Sequence, residues 1–170
     1  MITERHTLYT IPLLVGTIAD IDNAKLVKDA MDNQHDRLSH DNTRSDYEDN
    51  HMPMSETLRI VFDTISQEVS QETGLILHRE NYWAHIAWHN QSSTLHTHPP
   101  HNISAVYYPQ VPKDSDSKIV FQWETGHSGH DRFWILPNNS QYIVFPSHLQ
   151  HYVTRNESDN PRICISVNFT

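Results

Sequence analysis

Apolar side chains recur at three- and four-residue steps most clearly between Ser55 and Gly74, at Leu58, Val61, Phe62, Ile65 and Val69. That spacing puts one apolar stripe along a helix. Ser55 opens it, and Gly74 stands where a left-handed cap would end it. A helix with a single apolar stripe needs a sheet to cover. Asp22 is placed to cap a shorter helix, Asn23 to Met31. Before it, Leu8 to Ile18 is apolar and β-branched but contains Pro12 and Gly16, which predicts an edge strand or an extended entry segment. Asp32 to Pro53 shows no period and is rich in Asp, Asn, His, Ser and Arg. It reads as a long polar loop, a kind of segment that is often functional. Its histidines, His35, His40 and His51, are expected to be solvated rather than metal-bound.

From Leu75 the period shortens. Eight β-rich runs follow: Asn81 to Asn90, Thr94 to His98, Ile103 to Val111, Lys118 to Glu124, Arg132 to Leu136, Gln141 to Phe145, Leu149 to Thr154 and Arg162 to Phe169. Between them lie turn segments such as Gln91-Ser92-Ser93, Pro112 to Asp116 and Pro137 to Ser140. Short strands at such intervals predict a sandwich or jelly roll, mainly β, with the helices packed on one sheet. The last run alternates cleanly. Arg162, Cys164, Ser166 and Asn168 share one face, and Ile163, Ile165, Val167 and Phe169 the other. The apolar face suits the Leu58–Val69 stripe. The polar face then looks into the jelly roll, where an unpaired arginine would be very costly. An interior cavity that holds an anion resolves that conflict. The plain alternative is an internal salt bridge.

A length of 170 residues fits one domain, with residues 1–74 supplying the N-terminal strand, helices and polar loop and residues 75–170 the jelly-roll core. The formal net charge of −9 argues against a nucleic-acid backbone as the main partner. One cysteine, Cys164, rules out an intrachain disulfide framework and a cysteine zinc finger. Residues 1–6 lack the layout of a signal peptide, and the longest apolar run, Ile11 to Ala19, is too short and broken to span a bilayer. The expectation is a cytoplasmic protein with no membrane partner.

The chain holds 14 histidines, so abundance alone makes most of them solvated side chains. Position selects among them. His96 and His98 sit at i and i+2 near a predicted strand end, which puts both imidazoles on one face as half of a metal site. A later histidine is available at His148 or at His151, and Arg162 follows on the final strand. Trp83, Trp88, Trp123 and Trp134 are expected in core and rim packing, and Trp88 and Asn90 are minor candidates for the pocket mouth.

The order His96-Thr97-His98-Pro99, Ile103 to Tyr108, Ile143 to Ser147, His151-Tyr152-Val153 and Pro161 to Phe169 resembles the 2-oxoglutarate/Fe(II)-dependent dioxygenases. More narrowly, it is similar to a small prolyl-hydroxylase-like branch found in phages and marine bacteria. The resemblance runs through the whole predicted β core. It implies a double-stranded β-helix, with Fe(II) held by His96, His98 and His151. It implies 2-oxoglutarate held by Arg162 as a bidentate fork and by Tyr108, with Ser166 adding a hydrogen bond. Tyr107 takes the tyrosine's role if the register shifts by one. Of the two late histidines, His151 matches the family's distal ligand better than His148. The implied reaction is oxidative decarboxylation of 2-oxoglutarate with O₂, coupled to hydroxylation of a C–H bond in a peptide or small molecule, with ascorbate as an auxiliary reductant. A homodimer is one arrangement open to it, and a phage-encoded version would act in the host cytoplasm. One residue departs from the family pattern, because His98 stands where the usual His-x-Asp motif has its carboxylate. That departure keeps two other functions open: a three-histidine cupin-type metalloenzyme that uses no 2-oxoglutarate, and a non-enzymatic jelly-roll binding or structural protein.

Overall fold

A computed structural model describes residues 11–33, 52–125 and 129–170. In chain order the elements are β1 (Leu14–Thr17), α1 (Asn23–Asp32), α2 (Glu56–Thr73), β2 (Arg79–Ala87), β3 (Ser93–His96), β4 (Ile103–Gln110), β5 (Ile119–Glu124), β6 (His130–Ile135), β7 (Gln141–Pro146), β8 (Gln150–Val153) and β9 (Arg162–Phe169). The strands form two antiparallel sheets, one ordered β1-β7-β4-β9-β2 and the other β3-β8-β5-β6. All eight runs expected after Leu75 are strands, with no end moved by more than three residues and Arg162–Phe169 unchanged. Most of the predicted Asp32–Pro53 loop, with His35, His40 and His51, lies outside the described residues, as does the start of the Leu8–Ile18 segment.

Both helix ends form for local reasons. The Asp22 side chain accepts from Lys25 N–H, and the Ser55 side chain accepts from Leu58 N–H, so each supplies an acceptor to a first-turn donor. Gly74 takes the left-handed conformation (φ 74°) and returns its N–H to the Ser70 carbonyl. The α2 stripe Leu58, Val61, Phe62, Ile65 and Val69 is buried. It forms one core with Ile163, Ile165, Val167 and Phe169 of β9, and with Ala84 and Ile86 of β2. A second apolar cluster lies between the sheets and includes Val106, Ile119, Phe121, Ile143, Phe145 and Leu149. The five-stranded sheet therefore has one apolar face under the helices and one mixed face toward the other sheet.

Two points refine the expected strands. The strand that begins at Ser93 ends at His96, so His98 is not on it. Trp134 is 57 % exposed, and the Lys118 ammonium lies 5.1 Å from its ring centroid; it packs at the rim, not in the core.

Gly16 explains why an edge strand carries a glycine. It pairs with Tyr142 of β7, and a Cβ at position 16 would overlap the Tyr142 ring. The Tyr142 hydroxyl in turn donates to Glu68 of α2, which ties the sheet to the helix layer. Gly16→Ala is therefore expected to destabilise the protein by about 1–3 kcal/mol, the usual cost of overpacking. A urea titration of the variant checks this, and an unchanged midpoint would mean that Tyr142 moves aside freely.

Candidate metal centre and co-substrate cavity

Three imidazoles converge where β3 and β8 meet. His96 lies directly across the ladder from His151. His98 reaches the same point from beyond the strand end, where its N–H donates to the Ser147 carbonyl (2.8 Å). Ser147 is itself fixed: its N–H donates to Asn102 O (3.0 Å), and its hydroxyl lies 2.8 Å from the Ser104 hydroxyl, which donates to Asn168 Oδ1 (2.7 Å). The Pro146–Ser147 turn after β7 thus sets the position of His98.

One ligand atom from each of His96, His98 and His151 lies within 4.8 Å of the others. His98 Nε2 and His151 Nε2 are 3.1 Å apart. Two nitrogens each roughly 2.1 Å from an ion, at a right angle, would be roughly 3 Å apart. The Leu149 carbonyl accepts from His151 Nδ1–H (2.9 Å), and the Thr94 carbonyl from His96 Nδ1–H (2.7 Å). Those bonds put the ring protons on Nδ1 and leave each Nε2 as the unprotonated atom that can face a cation. Burial holds His98 down to about 4 and His151 to about 3, so both rings stay neutral. Phe145 packs edge-on against His151 (4.6 Å) and Trp83 lies against His98 (5.4 Å), keeping the rings in place. These donors fit a divalent ion. His148 is exposed, and neither it nor His101 belongs to the cluster.

The imidazoles open onto a cavity of about 280 Å³ between the sheets. Its other wall is the mixed face of the five-stranded sheet. Arg162, Cys164, Ser166 and Asn168 of β9 all line it, as do Ser104, Val106 and Tyr108 of β4 and Trp83 and His85 of β2. The pleat separates the two tyrosines. Tyr108 faces the cavity, whereas Tyr107 faces the helices and donates to Asn23 Oδ1 (2.8 Å). The mouth candidates Trp88 and Asn90 line nothing here. Trp88 packs against the helix-side core and Asn90 adopts a left-handed turn conformation.

Arg162 is 0 % exposed, and its guanidinium carbon lies 5.0 Å from the Tyr108 ring centroid. All three guanidinium nitrogens, the Tyr108 hydroxyl and His85 Nε2 are buried without a hydrogen-bond partner. Each such group costs about 1–3 kcal/mol, more if charged, unless a ligand satisfies it. Among the described residues no acidic side chain lines the cavity and no internal salt bridge to Arg162 forms. Burial pushes the Tyr108 hydroxyl far up, against the opposing pull of Arg162, so it stays a neutral donor. The cavity therefore has three imidazoles that could hold a cation at one end and a set of unpartnered buried donors at the other. His85 is the site-lining residue that the sequence reading missed. The signal for it was the alternation Asn81, Trp83, His85, Ala87, which pairs with Asn168, Ser166, Cys164 and Arg162.

A second cleft, of about 640 Å³, is lined by Ile11, Leu13, Val15, Phe121, Trp123, Phe133, Ile135 and Leu149. It is larger, but among the described residues it has no ionisable side chain and no metal-ligating group, so the candidate chemistry belongs to the smaller cavity.

A family model for 2OG-Fe(II) oxygenases matches residues 81–168, just over half of the chain. No curated protein matches it. Among solved structures, a prolyl-4-hydroxylase from Pseudomonas putida is 15% identical with a TM-score of 0.61, over 94% of this chain and 88% of that one. A prolyl hydroxylase from Trichoplax adhaerens, in complex with a hypoxia inducible factor oxygen degradation domain peptide, is 10% identical with a TM-score of 0.59, over 92% of this chain and 82% of that one. A 2OG-Fe(II) oxygenase family oxidoreductase from Burkholderia pseudomallei is 11% identical with a TM-score of 0.55, over 71% of this chain and 61% of that one, so the chain spans about three fifths of that protein's length. At these identities the structures establish the fold, a jelly roll of the oxygenase type. With the match across the β core, the chain belongs to the 2OG-Fe(II) oxygenases, the family whose cofactors are iron and 2-oxoglutarate.

Proposed function

We propose that the cavity carries out 2-oxoglutarate-dependent hydroxylation of a C–H bond in a peptide or small molecule. The observation that carries this reading is the Arg162 guanidinium, fully buried with three unpartnered nitrogens in the same cavity as the histidine triad. His96, His98 and His151 would hold Fe(II), and Arg162, Tyr108 and Ser166 would hold 2-oxoglutarate. Iron bound there supplies O₂ activation coupled to decarboxylation of the 2-oxo acid. The chain's own part is positional. Arg162 offers a planar fork to one carboxylate, and Tyr108 adds a neutral donor beside it. Phe145, Ile119 and Val153 make part of the wall dry, which strengthens those electrostatic contacts. Because no carboxylate among the described residues lines the cavity, the co-substrate's two negative charges are the compensation available for the ion. The likeness in fold to a prolyl hydroxylase solved with a peptide supports a peptide as one substrate class. No helix among the described residues is long and apolar enough to cross a membrane, and the free Cys164 is buried in the cavity wall. Both fit a cytoplasmic enzyme.

Anaerobic addition of Fe(II) and 2-oxoglutarate together should produce the weak visible metal-to-ligand band of this class. Iron binding without the band would favour a three-histidine enzyme that does not use 2-oxoglutarate. No iron binding at all would point to a non-enzymatic jelly roll. Arg162→Ala should weaken 2-oxoglutarate binding at least thirtyfold, about 2 kcal/mol or more as for a truncated buried charge pair, and spare metal affinity. Equal loss of both would make Arg162 structural. His98→Ala should lower the bound metal, whereas His101→Ala and His148→Ala should not; full retention in His98→Ala would restrict the ligands to His96 and His151. The buried imidazoles also set an acid limit. His85, His98 and His151 are held down to about 3, 4 and 3, chiefly by burial. Unfolded, each takes up its proton near pH 6.5. Stability of the metal-free protein is therefore full above that pH and falls as pH drops from about 6.5 toward 4, by up to about 1.4 kcal/mol per unit for each ring. Urea titrations at pH 7 and pH 5 measure the loss, and equal midpoints would mean that the rings are solvated.

A further inference from the structure

His85 projects from β2 into the cavity, 6 % exposed. Cross-strand register sets it opposite Cys164, and Arg162 follows two residues away on the same face of β9. Tyr108, on the other side of β9, also faces this end of the cavity. His85 Nε2 is buried with no hydrogen-bond partner, in the same condition as the Tyr108 hydroxyl and the Arg162 guanidinium. Buried polar atoms are almost always satisfied, so three residues left unsatisfied at one end of a cavity mark the seat of a ligand. Arg162 only donates, and a buried tyrosine hydroxyl donates readily, so the ligand there is an acceptor. Burial and the nearby Arg162 charge keep the His85 ring neutral. A neutral ring in its Nε2–H form adds a directed donor without a second positive charge.

We infer that His85 is a co-substrate-binding residue: its Nε2–H donates to the carboxylate of 2-oxoglutarate that Arg162 holds, and so contributes to selecting a 2-oxo acid that carries a second carboxylate. This rests on reading the cavity as the 2-oxoglutarate site. His85 and Tyr108 then flank the guanidinium, one from β2 and one from β4. Arg162 supplies attraction, and the two neutral donors fix direction and reach.

The test uses the full chain loaded with Mn(II), which replaces iron without turnover. Affinities are measured calorimetrically for 2-oxoglutarate and for 2-oxopentanoate, which lacks the second carboxylate. Leu and Gln are close in size, but only Gln keeps a donor. His85→Leu should weaken 2-oxoglutarate binding roughly tenfold to a hundredfold, the range for a hydrogen bond to a charged group. It should leave 2-oxopentanoate within about twofold. His85→Gln should restore 2-oxoglutarate binding to within about threefold of the parent. A preference for 2-oxoglutarate that is unchanged in His85→Leu would overturn the inference while leaving the site reading intact. Loss of Mn(II), or equal weakening of both acids, would make His85 structural and also overturn it. A parent protein that does not favour 2-oxoglutarate over 2-oxopentanoate would instead sink the reading of the site itself.

Discussion

Arg162 carries a full charge on a side chain that water does not reach, in a cavity wall that holds no carboxylate among the described residues. Moving such a group out of water costs several kcal/mol even after the protein relaxes. A chain tolerates that only where something returns the energy, and hydrophobic packing cannot do so. The position of Arg162 at the start of β9 also decides what the rest of the strand must be. Its alternate residues Cys164, Ser166 and Asn168 line the same cavity, and the residues between them close the core under α2. One strand thus has both a structural and a chemical face, and the helices exist to cover the first so that the second is left open.

The histidine triad is assembled differently. His96 and His151 are a cross-strand pair, so the ladder of β3 and β8 sets their separation. His98 depends on no ladder. It is placed by the hydrogen bond to Ser147, and through Ser104 that turn is joined to Asn168 on β9. The turn that places His98 is therefore tied to the C-terminal end of β9 through one buried polar chain. Under the proposed iron reading, an imidazole at position 98 leaves the centre more positive than a carboxylate would. Binding of the metal and of a dianionic co-substrate should then reinforce one another, since each reduces the charge that the other leaves uncompensated.

Much of this was legible in the chain. The α2 stripe and its two caps follow from spacing and from local donors and acceptors, so they needed no distant partner. The eight strands followed from apolar runs and turn chemistry, and the alternation of β9 separated the residues of its two faces. Harder were the choices that differ by one pleat or one turn. Tyr107 and Tyr108 are neighbours of equal character, and only the side on which the second sheet lies tells which one meets Arg162. The same holds for His85, whose alternation was visible but whose face was not. Trp88 and Asn90 looked closer to the metal strand in sequence, yet the strand ends before them and the cavity passes instead by Trp83 and His85.

The sequence by itself determined the elements and the periodic faces, because those depend on neighbours within a few residues. It also carried the charge conflict at Arg162, because a polar residue on an otherwise buried strand is visible in one dimension. The tertiary structure decided which polar groups converge. His98 sits off the strand that its spacing predicted, and it joins His151, 53 residues away, with Nε2 atoms 3.1 Å apart. That meeting depends on a turn, a ladder register and a packed aromatic shell. Each belongs to a different segment, and no local rule ties them together.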